Sequence, residues 1–337
     1  MTPELSLSLF PVPGIVGTMA AELEAAGWDG LFMTDTQNLT AEVYASLGIA
    51  AASTERVLLG PGVTNPVTRH PAVTASSIAT VHAASGGRAV LGIGRGDSSL
   101  GFLGRKPAPV GVLEEYLVRV RGYLHGEEVD LGDAVSHNVW IPETGLPPVP
   151  IDVAATGPKV IAVAARRADR VTFAVGADPQ RIRSSIAIVR AERAAAGLDP
   201  AGISLGAYVN VAVHPDVAVA REVVRGVTAV FAHFSSMAGA PAGAGGGDGV
   251  VLDHIDEQYE MAEHGRSDAG HAASIPDGFI DCFAVVGPAE RCVARLSELI
   301  EAGVERIVVV PGVHGPIIGD LAESMRAMAT DVLPALR

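Results

Sequence analysis

Asp97 is the only carboxylate in a glycine-rich loop, Gly92-Ile93-Gly94-Arg95-Gly96-Asp97-Ser98-Ser99, which follows the apolar run Ala89-Val90-Leu91. An acid held beside a reacting group can donate or accept a proton. Glycine lets the backbone come close to a ring or an anion. The loop also reads as a plain turn in which Asp97 acts as a cap. A dinucleotide fingerprint is a weaker reading, because the spacing is G-x-G-x-G and no helix clearly opens directly after the glycines. A second stretch, Gly60-Pro61-Gly62-Val63-Thr64-Asn65-Pro66, ends an apolar strand in glycines and runs into Thr68-Arg69-His70-Pro71. It suits close approach to a flat ligand, or an ordinary strand-to-helix turn. In a third, Ala154-Ala155-Thr156-Gly157-Pro158-Lys159, Thr156 reads as an N-cap and Pro158 as a first-turn proline. Such a helix start suits a phosphate, or simply caps a helix that binds nothing. Val285-Val286-Gly287-Pro288 is again a strand end running into a capped helix, and there the structural reading is stronger.

Other chemistries find little support. Cys282 and Cys292 are too few for a disulfide framework or a zinc cluster and read as packed thiols. His264, His271 and the group Asp253, His254, Asp256, Glu257 lack a metal-ligand spacing, so no metal is expected. No G-x-S-x-G, Walker A or H-E-x-x-H pattern is present. A formal net charge of -14 argues against nucleic-acid binding, which needs a basic surface. Lys106 and Lys159 are the only lysines. The N-terminus has no basic leader, and the longest uncharged run, near Val227 to Gly247, is interrupted by Gly, Ser, Pro and His233. These features predict a cytoplasmic protein without a membrane span.

The elements that must position these loops follow from the apolar pattern. Hydrophobic residues make up 48% of 337 and mean hydropathy is +0.33, with aromatics at 4%, so the core is aliphatic. Candidate strands are Leu5–Phe10, Gly30–Thr34, Val57–Val63, Arg88–Gly94, Val149–Ala154, Arg170–Ala174, Ile203–Val213 and Arg306–Pro311. Ala-rich or amphipathic helical stretches separate them, among them Ala41–Ala52, Pro71–Ala84, Val112–Leu124, Pro158–Arg167 and Asp216–His233. Strands alternating with helices predict an α/β fold, a (β/α)8 TIM barrel in one domain over residues 1–337. Two stretches depart from the repeat and read as insertions, at about 126–148 and 235–281. Gly239–Gly249 is of low complexity and is expected to be mobile. The loops singled out above fall at the C-terminal ends of strands, where barrel active sites sit.

Taken together, the loops resemble the luciferase-like superfamily. The stretch Leu59 to Asp97, with G-x-G-V-T-N-P, T-R-x-P, S-G-G-R and G-I-G-x-G-D in order, is similar to its methylenetetrahydromethanopterin reductase-like, deazaflavin-dependent branch. The resemblance implies hydride transfer between coenzyme F420 and a small-molecule or modified-peptide substrate, as a reductase using the reduced coenzyme. It implies a cis peptide at Gly62–Val63 behind the deazaflavin ring, with Thr64 and Asn65 beside ring and ribityl chain. Asp35 would bond the head of the cofactor, and Gly94, Asp97 and Ser98 would line its ring, Asp97 as the proton donor. Thr156, Gly157, Pro158 and Lys159 would hold the phosphate. Two departures argue against the best-known substrates. Ser8 stands where methanopterin reductases have glutamate, and Thr36 where sugar-phosphate dehydrogenases have histidine. The alternatives are an FMN-dependent monooxygenase and a non-catalytic flavin-binding barrel. Relatives also suggest a homodimer through Ala41–Ala52 and Pro71–Ala84.

Overall fold

The computed structural model describes residues 2–239, 248–312 and 318–337. Residues 240–247, which form most of the low-complexity stretch expected to be mobile, lie outside the described residues. The strands are β1 Glu4–Leu9, β2 Gly30–Met33, β3 Leu58–Pro61, β4 Leu91–Ile93, β5 Val129–Asp130, β6 Val135–Ser136, β7 Ile151–Ala155, β8 Arg170–Phe173, β9 Ser204–Val213, β10 Val285–Gly287 and β11 Arg306–Val310. All eight expected strands are present, most of them trimmed at their ends. Their order in the sheet is β3-β2-β1-β11-β9-β8-β7-β4. Parallel bridges Leu59 to Ala89 and Thr64 to Ile93 then join the two ends. This is the (β/α)8 barrel, with helices between the strands. A ninth strand, β10, pairs in parallel with the end of β9 through Val285–Val211, Val286–Ala212 and Gly287–Val213. The sequence reading took that segment as a strand end before a helix, and the strand is there.

The chain divides into two compact units. The first comprises Ser8–Ala154 and Arg166–Arg170. Its strands are short apolar runs, and its polar clamps sit at helix ends. Arg88 illustrates this. Its guanidinium donates to the carbonyls of Ala51, Thr54, Val57 and Ser85 and to Thr54 Oγ1. Those acceptors include carbonyls at the end of helix Val43–Ser53, which would otherwise lack partners. Glu24 does the reverse job: its carboxylate accepts from the backbone N–H groups of Glu55, Arg56 and Val57. Residues 126–148 form a turn, the antiparallel pair β5–β6 and a single turn of 3-10 helix at Pro142–Thr144. His82, on helix Pro71–Ala84, anchors this segment by bonding the Pro147 carbonyl at 3.1 Å.

The second unit comprises Met1–Leu7, Ala155–Ala165 and Val171–Arg337. Strand β9 is followed by helix Val217–Ala238, which runs five residues past the expected end at His233 before Gly239 closes it in a left-handed conformation. The region expected as an insertion carries helical segments at Asp248–Gln258, Gly270–Ala273 and Asp277–Phe283, joined by turns and irregular backbone. These helices and Val217–Ala238 enclose their own aliphatic core, including Val223, Val227, Ile255, Ile275 and Ile280. Cys292 is buried and its thiol donates to the Gly287 carbonyl at 3.3 Å, while burial pushes its pKa up to about 12. Cys282 is exposed, which corrects the expectation of two packed thiols.

Candidate functional site

The loop after β3 carries the cis peptide bond between Gly62 and Val63 that the resemblance implied. Three backbone hydrogen bonds fix it from both sides. Gly62 N–H donates to the Met33 carbonyl at 2.7 Å, Thr64 N–H to Gly92 at 3.0 Å, and Gly94 N–H to Thr64 at 2.9 Å. A Cβ on Gly92 would sit 2.1 Å from the Pro61 carbonyl oxygen, so that glycine serves the close approach of β3 and β4 rather than a ligand. One on Gly94 would sit 3.1 Å from Val63 Cγ2, which keeps the strand end beside the bulge free of side chains.

Below this bulge the polar residues lock one another. Asn65 Oδ1 accepts from Val67 N–H, Thr68 N–H and Thr68 Oγ1, and its Nδ2 donates to Ser99 Oγ. Asparagine ahead of a proline organises a turn in this way. Asp35 is 3% exposed, and both of its oxygens accept from the guanidinium of Arg69. Arg69 also reaches Thr64 Oγ1 at 3.4 Å and Glu42 Oε1 at 2.9 Å, and its guanidinium carbon lies 5.0 Å from the centroid of the Tyr44 ring. Burial works against the charge on Arg69, but the hydrogen bonds to Asp35 together with the electrostatic pull of Asp35, Tyr44 and Glu42 outweigh it and raise the pKa. The Tyr44 hydroxyl is driven upward by burial and then by the Asp35 charge, so it stays neutral. Tyr116 donates to the Arg69 carbonyl at 3.0 Å; burial raises its pKa to about 12.

The Gly92–Ser99 loop corrects one expectation. A helix does open directly after the glycines, but it is short, Ser98–Gly101. Asp97 holds its N-cap position, yet its side chain makes no capping hydrogen bond. The carboxylate is half-buried and the cap reading of Asp97 loses its main support. Ser98 Oγ stands 3.5 Å from Thr36 Oγ1, and the Ser99 carbonyl accepts from Gln37 Nε2 at 2.8 Å, which ties this loop to the end of β2.

Thr156, Gly157, Pro158 and Lys159 lie in the second unit, at the start of helix Pro158–Arg167. The Gly157 carbonyl accepts the first intrahelical bonds, from Val160 and Ile161. The cap position therefore falls on Gly157, one residue later than the Thr156 expected. Pro158 occupies the first turn as expected, and Lys159 is exposed beside it. The early N–H groups of a helix lack intrahelical acceptors and favour an anion.

The first unit thus gathers Asp35, Gly62, Val63, Thr64, Asn65, Gly94, Asp97 and Ser98 around adjoining strand ends. Sequence reasoning gave no role to Arg69, Glu42 or Tyr44. The T-R-H-P stretch was the available signal: an arginine following a buried strand end needs a carboxylate, and Asp35 at the end of β2 supplies it. A pocket of about 400 Å³ borders the same loop, from Pro66 to Pro71 with Tyr116 and Arg119, but none of the expected contact residues lines it. Among the described residues no group of His, Cys, Asp and Glu is arranged to hold a metal, and no helix is long and apolar enough to cross a membrane.

Residues 11–306 match the luciferase-like monooxygenase family. A 5,10-methylenetetrahydromethanopterin reductase of Methanolobus tindarius is 30% identical over 85% of this chain and 86% of its own. One from Archaeoglobus fulgidus is 31% identical over 93% of each chain. Among solved structures, the coenzyme F420 dependent tetrahydromethanopterin reductase from Methanopyrus kandleri superposes with a TM-score of 0.76 over 100% of both chains, at 24% identity.

Proposed function

The chain belongs to the luciferase-like monooxygenase family, and on that footing we propose that it is an oxidoreductase moving a hydride between coenzyme F420 and a small organic substrate. The direction proposed is reduction of the substrate by the reduced coenzyme. The observation that carries this reading is the similarity to reductases over nearly the whole length, 93% of both chains in one case.

The residues present fit the coenzyme. Hydroxyl and carboxylate groups of Ser98 and Asp97 flank a strand end where Gly94 carries no side chain, and this suits a flat ring with a polar edge. When bound, the coenzyme supplies the hydride chemistry, and the protein supplies orientation and electrostatics. We assign Gly62, Val63, Gly94 and Ser98 to the ring, and Asp97 to holding or moving a proton at its carboxylate. Asp35, Thr64 and Asn65 keep the loop in shape, because their polar atoms are largely spent on Arg69, Thr68 and Ser99. Thr156, Gly157, Pro158 and Lys159 are assigned to a phosphate. Lys159→Ala should then weaken coenzyme binding more at low salt than at high salt; equal constants at both would remove Lys159 from the site.

We further propose that the protein is cytoplasmic and a homodimer. Exposed Ile49 and Val73 on helices Val43–Ser53 and Pro71–Ala84 support a covered helical face. Light scattering at the 34.5 kDa of one chain would contradict the dimer. The reaction itself is tested by mixing protein with reduced coenzyme F420 and carbonyl or imine acceptors without oxygen. Oxidation of coenzyme matched by reduced acceptor is expected. Turnover that needs FMN and oxygen would overturn the reading.

A further inference from the structure

Aromatic residues are scarce in this chain, at 4%, yet several gather in one place in the second unit. The Tyr208 ring lies 6.3 Å from that of Phe231, and Phe231 lies 5.5 Å from Phe234. Both separations are within the range of interacting aromatic pairs. Three buried polar side chains accompany them. Asn210 Nδ2, Thr228 Oγ1 and Ser235 Oγ are each shut off from solvent and meet no hydrogen-bond partner among the described residues. Asn210 is two residues beyond Tyr208 on β9, so both project from the same face of the strand. Thr228 and Ser235 stand three before and four after Phe231 on helix Val217–Ala238, so all three share one helix face.

Buried polar groups are nearly always paired, and an unpaired one destabilises the fold. Three of them around an aromatic pair, on a strand face and a helix face brought together at Tyr208 and Phe231, call for a partner that is flat and carries hydrogen-bonding groups. We propose that Tyr208, Phe231 and Phe234 form the wall of a substrate subsite for a planar, conjugated carbonyl compound, whose oxygen accepts from Asn210 Nδ2. The hydroxyls of Thr228 and Ser235 serve further polar groups of the same molecule. This inference rests on the hydride-transfer reading and names the substrate class for it. It also accounts for buried polar atoms that meet no partner in the fold.

The test uses benzylideneacetone as a planar enone probe and 4-cyclohexylbutan-2-one as a non-planar ketone of similar size. Each is titrated calorimetrically into the full-length protein, alone and saturated with oxidised coenzyme F420. The planar probe should bind at least tenfold more tightly. Asn210→Ala should weaken it about fivefold or more, as expected for loss of one hydrogen bond, and Phe231→Leu should weaken it as well. Asn210→Ala should melt at the wild-type temperature or above, because it removes a buried group with no partner in the fold. Equal binding of the two probes, or wild-type affinity in Asn210→Ala, would overturn the subsite. A lowered melting temperature in Asn210→Ala would do so too, by giving Asn210 a structural task. Failure to bind coenzyme F420 would instead contradict the hydride-transfer reading, and the titration without coenzyme would still decide the subsite.

Discussion

Arg69 grips Asp35 with both terminal nitrogens of its guanidinium, and so ties the end of β2 to the loop that follows the cis peptide. The pair is largely buried, with the Asp35 side chain at 2% exposure and that of Arg69 at 16%. Removing one partner of such a pair leaves an uncompensated charge, at a cost of about 3–5 kcal/mol. Arg69→Met should therefore destabilise the protein by about 3 kcal/mol or more in chemical denaturation. The double variant Arg69→Met/Asp35→Asn should lose less than the sum of the single losses, by about 1 kcal/mol or more. Strict additivity would mean the two residues act independently.

Arg88 is the last residue of the S-G-G-R stretch that contributed to the family resemblance. Its partners are backbone carbonyls at the ends of helices and strands and the Thr54 hydroxyl, not site residues. Lysine cannot reproduce that fork of donors. Arg88→Lys should cost about 2 kcal/mol or more of stability while leaving coenzyme affinity unchanged. A weakened affinity at unchanged stability would reverse this assignment.

His82 makes stability depend on pH. Its Nδ1 accepts from Ala89 N–H at 3.1 Å, which requires the neutral ring, and its Nε2 bonds the Pro147 carbonyl. Burial lowers its pKa below the ordinary 6.5, and the bond from Nε2 to the Pro147 carbonyl only partly offsets this. The unfolded chain therefore takes up the proton at higher pH than the folded one. The contribution of His82 is fully present above about pH 6.5 and is lost as pH falls through the depressed folded value. Unfolding free energies of wild type and His82→Gln should diverge above pH 6.5 and converge in acid. Parallel curves would show that His82 does not carry the pH dependence.

Much of the barrel was legible because its strands are short aliphatic runs between Ala-rich helices, a pattern with few alternative folds. Strand β10 was legible as a strand end before a helix, but its pairing with the end of β9 was not, because three residues carry no signal of their partner. The cis bond at Gly62–Val63 came from motif resemblance alone; nothing in composition or spacing demands it. The glycines of β3 and β4 were read as room for a ligand. For Gly92 the reason is the neighbouring strand's carbonyl, a long-range contact that a single sequence does not reveal. The cap at Thr156 was misplaced by one residue because Thr and Gly both cap well and only the hydrogen bonds to Gly157 decide between them.

Asp97 stands at an N-cap position without making the cap bond. A group kept there for capping would be replaced almost silently by asparagine. We expect Asp97→Asn to lower turnover by about 10²-fold, in the range usual for general acid–base groups, with melting temperature and coenzyme affinity nearly unchanged. Wild-type turnover in this variant would leave the proton transfer to another group.

The proposed chemistry depends on which cofactor the protein binds. Purified protein titrated separately with coenzyme F420 and with FMN, at the same ionic strength, gives two dissociation constants. The account predicts tighter binding of F420 by at least tenfold, about 1.4 kcal/mol. A tenfold preference for FMN would contradict it.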